Sequence, residues 1–214
     1  MVLLILQFLF ACNISGQMQQ QLTLEKIFKE RGFNPETLDN MRSVAGGEHY
    51  TVMESDSKIV QYDYLTGKHK TVVFDAAEYQ ENGPASISDY AFSNDEKKIL
   101  LTSQVSRIYR HSFEARYWIY DLTKNTILPL EDTGKQRLAT FSPDGLKVAF
   151  VKQNNLYCKN LVDGSIVQLT SDGEMNRIIN GAPDWVYEEE FGFSQAYCWS
   201  PDSRFIAFYR FDES

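Results

Sequence analysis

The sequence predicts an all-β fold, and three observations support that prediction. Aromatic residues, which favour strands, make up 14% of the chain. From residue 43 onward, short alternating or apolar runs are separated by turn residues such as glycine, asparagine and aspartate. These runs recur in the same order at intervals of about 40 to 60 residues, which is the period of a four-stranded propeller blade. The predicted fold is therefore a β-propeller with four-stranded blades.

Each predicted blade repeats the same three elements. The first is a strand ending in Ser-x-Asp, with a β run after it, and it begins at residues 90, 139 and 197. The second is a strand with a hairpin, found at residues 59–67, 117–125 and 156–164. The third is a closing strand, found at residues 71–74, 126–130 and 166–170.

The last predicted blade starts near Tyr197 and has only two strands, the second of them at residues 205–211. Residues 43–214 are thus predicted to form a partial propeller of about three and a half blades. Such a number of blades cannot close a ring, and open sheet edges are a liability. We therefore expect the chain to be the N-terminal part of a longer protein.

The N-terminal segment predicts export. Residues 2–11 are almost all apolar, too few for the roughly 20 that span a bilayer but typical of a signal peptide. Small and polar residues follow, so residues 1–16 are interpreted as a signal peptide that is cut between Ala11 and Gln17. Alternatives are lipidation at Cys12 and a buried first helix. The expected location is the periplasm or the cell surface.

Residues 17–42 are expected to form a helical lead-in to the propeller. Leu24, Ile27 and Phe28 follow one another at helical spacing. Thr23 suits a capping position and Gly32 suits a helix stop, so a short helix is predicted at residues 22–31.

Composition excludes several classes of function. The net charge is −8 and no long basic run occurs, so nucleic acid is not an expected partner. The sequence contains no metal-ligand spacing, glycine-rich phosphate loop or Gly-x-Ser-x-Gly nucleophile motif, so no cofactor, metal or catalytic residue is predicted. Cys158 and Cys198 lie in predicted strands; a disulfide between them is possible, and two buried thiols are the favoured expectation.

Three consecutive glutamates, Glu188, Glu189 and Glu190, form the main candidate for a binding site. Asp184 suits the N-cap of a helix that carries them. Because successive helical residues point about 100° apart, only two of the three flank one small cation. An ammonium group suits such a pair because its hydrogen bonds to carboxylates are charge-assisted. The alternative, favoured by composition alone, is a solvated acidic face near a helix N-terminus.

A resemblance favours the binding interpretation. Asp-Trp-Val-Tyr-Glu-Glu-Glu at residues 184–190, with an aromatic segment and Trp-Ser-Pro-Asp after it, resembles the glutamate motif of dipeptidyl peptidase IV. That family belongs to the prolyl oligopeptidase group of serine peptidases, and the likeness is to the propeller part of its bacterial type. Residues 108–113 resemble the family's Arg-His-Ser-aromatic segment.

The resemblance assigns roles to individual residues. It implies that Glu189 and Glu190 hold the substrate amine, that Arg110 binds a substrate carbonyl, and that Glu188 points elsewhere. Without the resemblance, the sequence would indicate only that Arg110 is an exposed residue in a loop. The loop after Glu190 is expected to differ, because residues 191–194 carry one residue more than the animal enzymes have.

The implied function is anchoring of a peptide's free N-terminus, so that X-Pro or X-Ala dipeptides are released. The family's catalytic triad lies in a C-terminal α/β-hydrolase domain, which is expected beyond this chain, so the fragment alone should be inactive. The family also implies a homodimer. Two alternatives stay open: a non-catalytic exported propeller that binds peptides or a protein partner, and a relative that has lost the peptidase.

Overall fold

The structure, a computed structural model, describes residues 22–33 and 40–214. The chain divides after residue 37 into two compact units, which are described separately. The predicted signal peptide, including Cys12, lies outside the described residues, as does part of the lead-in. No helix among the described residues is long and apolar enough to cross a membrane.

The first unit contains the helix predicted at residues 22–31, but in shorter form. It is a single π-helical turn, Glu25–Lys29. The Thr23 hydroxyl accepts a hydrogen bond from the Lys26 backbone N–H at 3.1 Å, which is the predicted capping role. The Glu30 N–H donates to the Glu25 carbonyl, five residues back, at 3.0 Å. The predicted length is wrong because a helix this short, with no buried residue, has little to stabilise further turns.

The second unit contains three four-stranded antiparallel sheets in which strands adjacent in sequence are adjacent in the sheet. The first blade consists of β1 (Arg42–Val44), β2 (His49–Glu54), β3 (Lys58–Asp63) and β4 (His69–Asp75). The second blade consists of β5 (Asp89–Phe92), β6 (Lys98–Arg107), β7 (Phe113–Asp121) and β8 (Thr126–Pro129). The third blade consists of β9 (Arg137–Phe141), β10 (Lys147–Lys152), β11 (Asn155–Asn160) and β12 (Ile166–Gln168). Short 3₁₀ turns occupy Ala45–Gly47 and Ala76–Tyr79. The prediction of an all-β fold with four-stranded blades is confirmed.

Apolar side chains on both faces of the middle strands pack the blades against one another. On β10, Val148 and Phe150 join a core cluster with residues of the second blade. Ala149 and Val151, on the other face of the same strand, join a cluster with residues that follow the third blade. Because side chains alternate between the faces of a strand, this pattern shows that the third blade is covered on both faces, as in a propeller.

After the third blade the structure has two two-stranded sheets and a helix. β13 (Ile178–Asn180) precedes the helix α1 (Trp185–Phe191), and β14 (Tyr197–Trp199), β15 (Ile206–Phe208) and β16 (Arg210–Asp212) follow it. β14 pairs with β15, which are the two strands predicted for the last blade, whereas β16 pairs with β13.

The single strand predicted at residues 205–211 is therefore wrong. Tyr209 separates β15 from β16, and its N–H donates to the Ala196 carbonyl at 2.9 Å. Its carbonyl accepts a hydrogen bond from the Gly181 N–H at 3.0 Å. The backbone changes partner at Tyr209 and ties the last blade to the segment that leads into α1.

The structure corrects one expectation about the cysteines. Cys158 and Cys198 are free thiols, and Cys158 is half-buried, where burial raises the pKa of its thiol. Cys198 is exposed, so the expectation of two buried thiols is wrong for it. Its neighbour Tyr197 is buried against the third blade, which directs Cys198 to the opposite face of a sheet with only two strands.

The Ser-x-Asp repeats form equivalent turns. In the third blade the Ser142 hydroxyl donates to Asp144 Oδ1 at 2.6 Å and accepts from the Lys147 N–H at 2.9 Å. The second and last blades repeat both contacts with Ser93 and Ser200. The Asp144 N–H also donates to the Ser203 hydroxyl at 2.9 Å, so neighbouring blades are joined at these turns.

Replacing Ser142 with alanine is expected to lower the free energy of unfolding by about 1–3 kcal/mol, because the Lys147 N–H loses its acceptor in a partly buried turn. Ser142 is 1% exposed. Ser200→Ala is the matched control, since Ser200 makes the same contacts but is half-buried, and a smaller loss is expected. Urea unfolding measures both. Equal losses would show that burial of the turn does not matter.

Candidate functional site

The helix α1 begins where the sequence predicts. The Asp184 carboxylate accepts a hydrogen bond from the Tyr187 N–H at 2.8 Å, which confirms Asp184 as the N-cap. Gly192 ends the helix in the left-handed conformation, with φ of 60°, and the Phe193 N–H donates to the Tyr187 carbonyl at 3.2 Å. Glycine adopts this conformation without steric penalty. The three glutamates thus lie on one short, capped helix.

The three glutamates have different surroundings. Glu188 is 2% exposed, the Glu189 side chain is 20% exposed, and Glu190 is exposed. Among the described residues, Glu190 has no hydrogen-bond or ion-pair partner. The rotation of about 100° per residue accounts for the difference. Glu188 faces the protein interior, Glu189 is partly exposed, and Glu190 faces solvent.

Arg110 lies in the loop that joins β6 and β7, and it reaches Glu189. Its Nη2 atom lies 3.0 Å from Glu189 Oε1, and its side chain is 66% exposed. Glu189 Oε2 is buried and has no hydrogen-bond partner among the described residues. Of the three predicted site residues, the structure brings Arg110 and Glu189 into contact, and Glu190 follows Glu189 on α1.

Glu188 has a role that the sequence did not indicate. Its Oε1 atom accepts hydrogen bonds from the backbone N–H groups of His111 and Ser112, at 2.7 and 2.8 Å. Glu188 does point away from the other two glutamates, as expected, but it points into the base of the Arg110 loop. A buried acid beside exposed apolar residues (Trp185, Val186 and Tyr187) reverses the usual helix pattern, so no signal in the sequence would have found it.

Charges around the site support the ionised form of Glu188. Burial opposes ionisation, but the His111 and Ser112 contacts and the positive charge of Arg137 outweigh it and hold the pKa of Glu188 below its usual value. Burial lowers the pKa of Arg137, and the negative charges of Glu188 and Glu114 offset only part of that decrease. The neighbouring Glu189 carboxylate raises the pKa of Tyr109. The site therefore combines an ionised Glu188 with a neutral Tyr109 phenol near pH 7.

The arrangement is suited to a ligand that carries an ammonium group beside a carbonyl. Glu189 Oε2 and the Glu190 carboxylate provide acceptors that the protein leaves unused among the described residues. The exposed guanidinium of Arg110 provides donors. No group of histidine, cysteine, aspartate or glutamate in the described part of the chain could hold a metal ion.

Comparisons with known proteins agree on one family. Residues 93–214, more than half of the chain, match the model of the dipeptidyl peptidase IV (DPP IV) N-terminal region. The chain belongs to the DPP IV N-terminal region family. Arg110, Glu189 and Glu190 all lie within the matched part of this DPP IV N-terminal region.

The relatives of this DPP IV N-terminal region include peptidases from distant organisms. The crystal structure of Porphyromonas gingivalis dipeptidyl peptidase 4 is similar over 91% of this chain and 28% of that chain, with 40% identity and a TM-score of 0.83. Prolyl endopeptidase FAP of Bos taurus is 34% identical over 78% of this chain and 22% of its own length. A probable dipeptidyl-aminopeptidase B of Tuber melanosporum is 44% identical over 57% of this chain and 14% of its own length. The chain spans less than a third of each relative.

Proposed function

We propose that this DPP IV N-terminal region holds the free N-terminus of a peptide substrate. Glu189 and Glu190 bind the ammonium group, and Arg110 binds the first carbonyl oxygen. The observation that carries the proposal is the contact between Arg110 and Glu189, 3.0 Å long, beside a buried carboxylate oxygen that has no partner among the described residues.

The chemistry of a peptide N-terminus fits these groups. An α-amine has a pKa of about 7.7–8.0, so it is largely protonated at neutral pH. It offers three N–H donors, and Glu189 Oε2 and Glu190 supply carboxylate acceptors for them. Two neighbouring carboxylates repel each other, and an arriving cation relieves that repulsion.

Anchoring the N-terminus selects the bond that is cut. A nucleophile at a fixed distance from the bound ammonium reaches only the second peptide bond, so a dipeptide is released. Positioning of this kind supplies several kcal/mol, up to about 7–11, of the reduction in the barrier. We infer that the full-length protein is an exported serine exopeptidase that releases X-Pro or X-Ala dipeptides. Its nucleophile would come from an α/β-hydrolase domain, and the enzyme would act as a homodimer in the periplasm or at the cell surface.

The deciding experiment modifies the α-amine of the substrate and leaves the protein unchanged. Full-length enzyme is expected to cleave a Gly-Pro amide at least about tenfold faster, in kcat/KM, than its N-acetylated form, because acetylation removes the charge and the charge-assisted hydrogen bonds. A third substrate, Gly-Pro amide with a longer leaving peptide, controls for size. Equal cleavage of free and acetylated substrates rejects the anchor. Binding of free-amine peptides without cleavage of any substrate supports the non-catalytic alternative.

Rising pH is expected to weaken the anchor above about pH 8. The ligand's ammonium is charged below its pKa of about 7.7–8.0 and loses the proton above it, so KM for a free-amine substrate should rise from there. Tyr109 titrates above this rise, because the Glu189 carboxylate raises the pKa of its phenol above the ordinary value of about 10. A series of KM values between pH 6 and 10 measures the effect. A KM that is flat through pH 9 would contradict it.

A further inference from the structure

The loop that carries Arg110 is held at a single buried point. It forms the tip of the hairpin between β6 and β7, and residues 107–111 are all exposed. Ser112 is 4% exposed. Its carbonyl accepts hydrogen bonds from the Ile108 and Tyr109 N–H groups, at 2.9 and 3.2 Å, which closes the loop on itself.

The remaining contact of this buried point is with Glu188. The Ser112 and His111 N–H groups both donate to Glu188 Oε1, across separations of 76 and 77 residues in the sequence. One carboxylate thus joins the tip of a hairpin in the second blade to the helix α1. The next residue on α1, Glu189, contacts Arg110 itself at 3.0 Å.

We propose that Glu188 is a positioning residue that fixes the Arg110 loop against α1, so that the guanidinium and the carboxylates of Glu189 and Glu190 keep one relative geometry. This inference rests on the proposed anchoring function, which it deepens. The charge of Glu188 matters for this role. A carboxylate that accepts two N–H groups makes charge-assisted hydrogen bonds, which are stronger than those of a neutral acceptor and therefore hold the loop more firmly.

Arg137, at the start of β9, supplies the opposing charge. It is half-buried, and its Nε atom is buried without a hydrogen-bond partner among the described residues. Its charge acts on Glu188 and on Glu114. Glu188 therefore accepts hydrogen bonds from two donors of the loop and also experiences the positive charge of Arg137 in the third blade.

The test compares Glu188→Gln and Glu188→Ala with Glu189→Gln in the full-length enzyme, and Glu81→Gln, an exposed glutamate of the same chain, is the matched control. Both Glu188 variants are expected to raise KM for a free-amine Gly-Pro amide about 10- to 100-fold, since small misplacements reach that size. Hydrolysis of p-nitrophenyl acetate, an ester without an α-amine, should stay within about twofold. Glu81→Gln should change neither.

Hydrogen exchange supplies the second readout. The His111 and Ser112 amides are expected to exchange faster in both Glu188 variants, whereas the amides of β10 stay protected. An unchanged KM in the Glu188 variants, with KM raised in Glu189→Gln, overturns the inference and leaves the anchoring function standing. Loss of both activities with faster exchange in β10 also overturns it, because Glu188 would then only support folding. If Glu189→Gln changes nothing either, the anchoring function itself fails.

Discussion

Replacing both Glu189 and Glu190 with glutamine is expected to lower kcat/KM for a free-amine X-Pro substrate by about 30- to 5,000-fold. Removing one side of a desolvated charge pair costs about 2–5 kcal/mol, and each 1.36 kcal/mol is a factor of ten in rate. Glutamine keeps the length of the side chain and a similar helix propensity, so the charge is the only large change. The Arg110 guanidinium would also lose its ion pair with Glu189.

The two single variants should differ in how far they lower kcat/KM. Glu189 is mostly buried and already contacts Arg110, so Glu189→Gln should lower kcat/KM more than Glu190→Gln, whose carboxylate is exposed. Because the two residues share one ligand, the losses should not add. Glu81→Gln serves again as the exposed control. Steady-state kinetics with a Gly-Pro amide measure all four variants, and unchanged cleavage by the double variant would refute the anchor.

Local chemistry made part of this site predictable from the sequence. The N-cap at Asp184 depends on side-chain preferences within one turn, and it appears in the structure. The blades were predictable because strand periodicity and the Ser-x-Asp turn repeat along the chain. Arg110 and Glu189 have no local relation; only the family resemblance placed them at one site before the structure showed their contact.

Other features depend on tertiary contacts that no local pattern reports. Glu188 is buried because the His111 and Ser112 N–H groups need an acceptor, and these groups lie in the second blade, far from α1 in the sequence. The change of partner at Tyr209 depends on the Ala196 and Gly181 backbone groups, although residues 205–211 look like one strand. In both cases the backbone hydrogen bonds of a distant segment decide the outcome.

The largest stability effect is expected for Phe150→Ala, which should lower the free energy of unfolding by about 3–5 kcal/mol. Phe150 lies on β10 and is 0% exposed, and its ring stacks on Tyr157 with centroids 5.4 Å apart. It belongs to the core cluster that joins the second and third blades. Truncation removes apolar contacts and leaves a cavity between two rigid sheets that relax only in part.

Phe205→Ala is the matched control, because Phe205 is 64% exposed, and a change within about 0.5 kcal/mol is expected there. Denaturant unfolding of both variants, with the wild type, measures the difference. A loss below about 1 kcal/mol for Phe150→Ala would mean that the two blades are not packed face to face through this residue. The second blade carries the Arg110 loop, and α1 follows the third blade. Phe150 therefore packs the blade that carries the Arg110 loop against the blade that precedes α1.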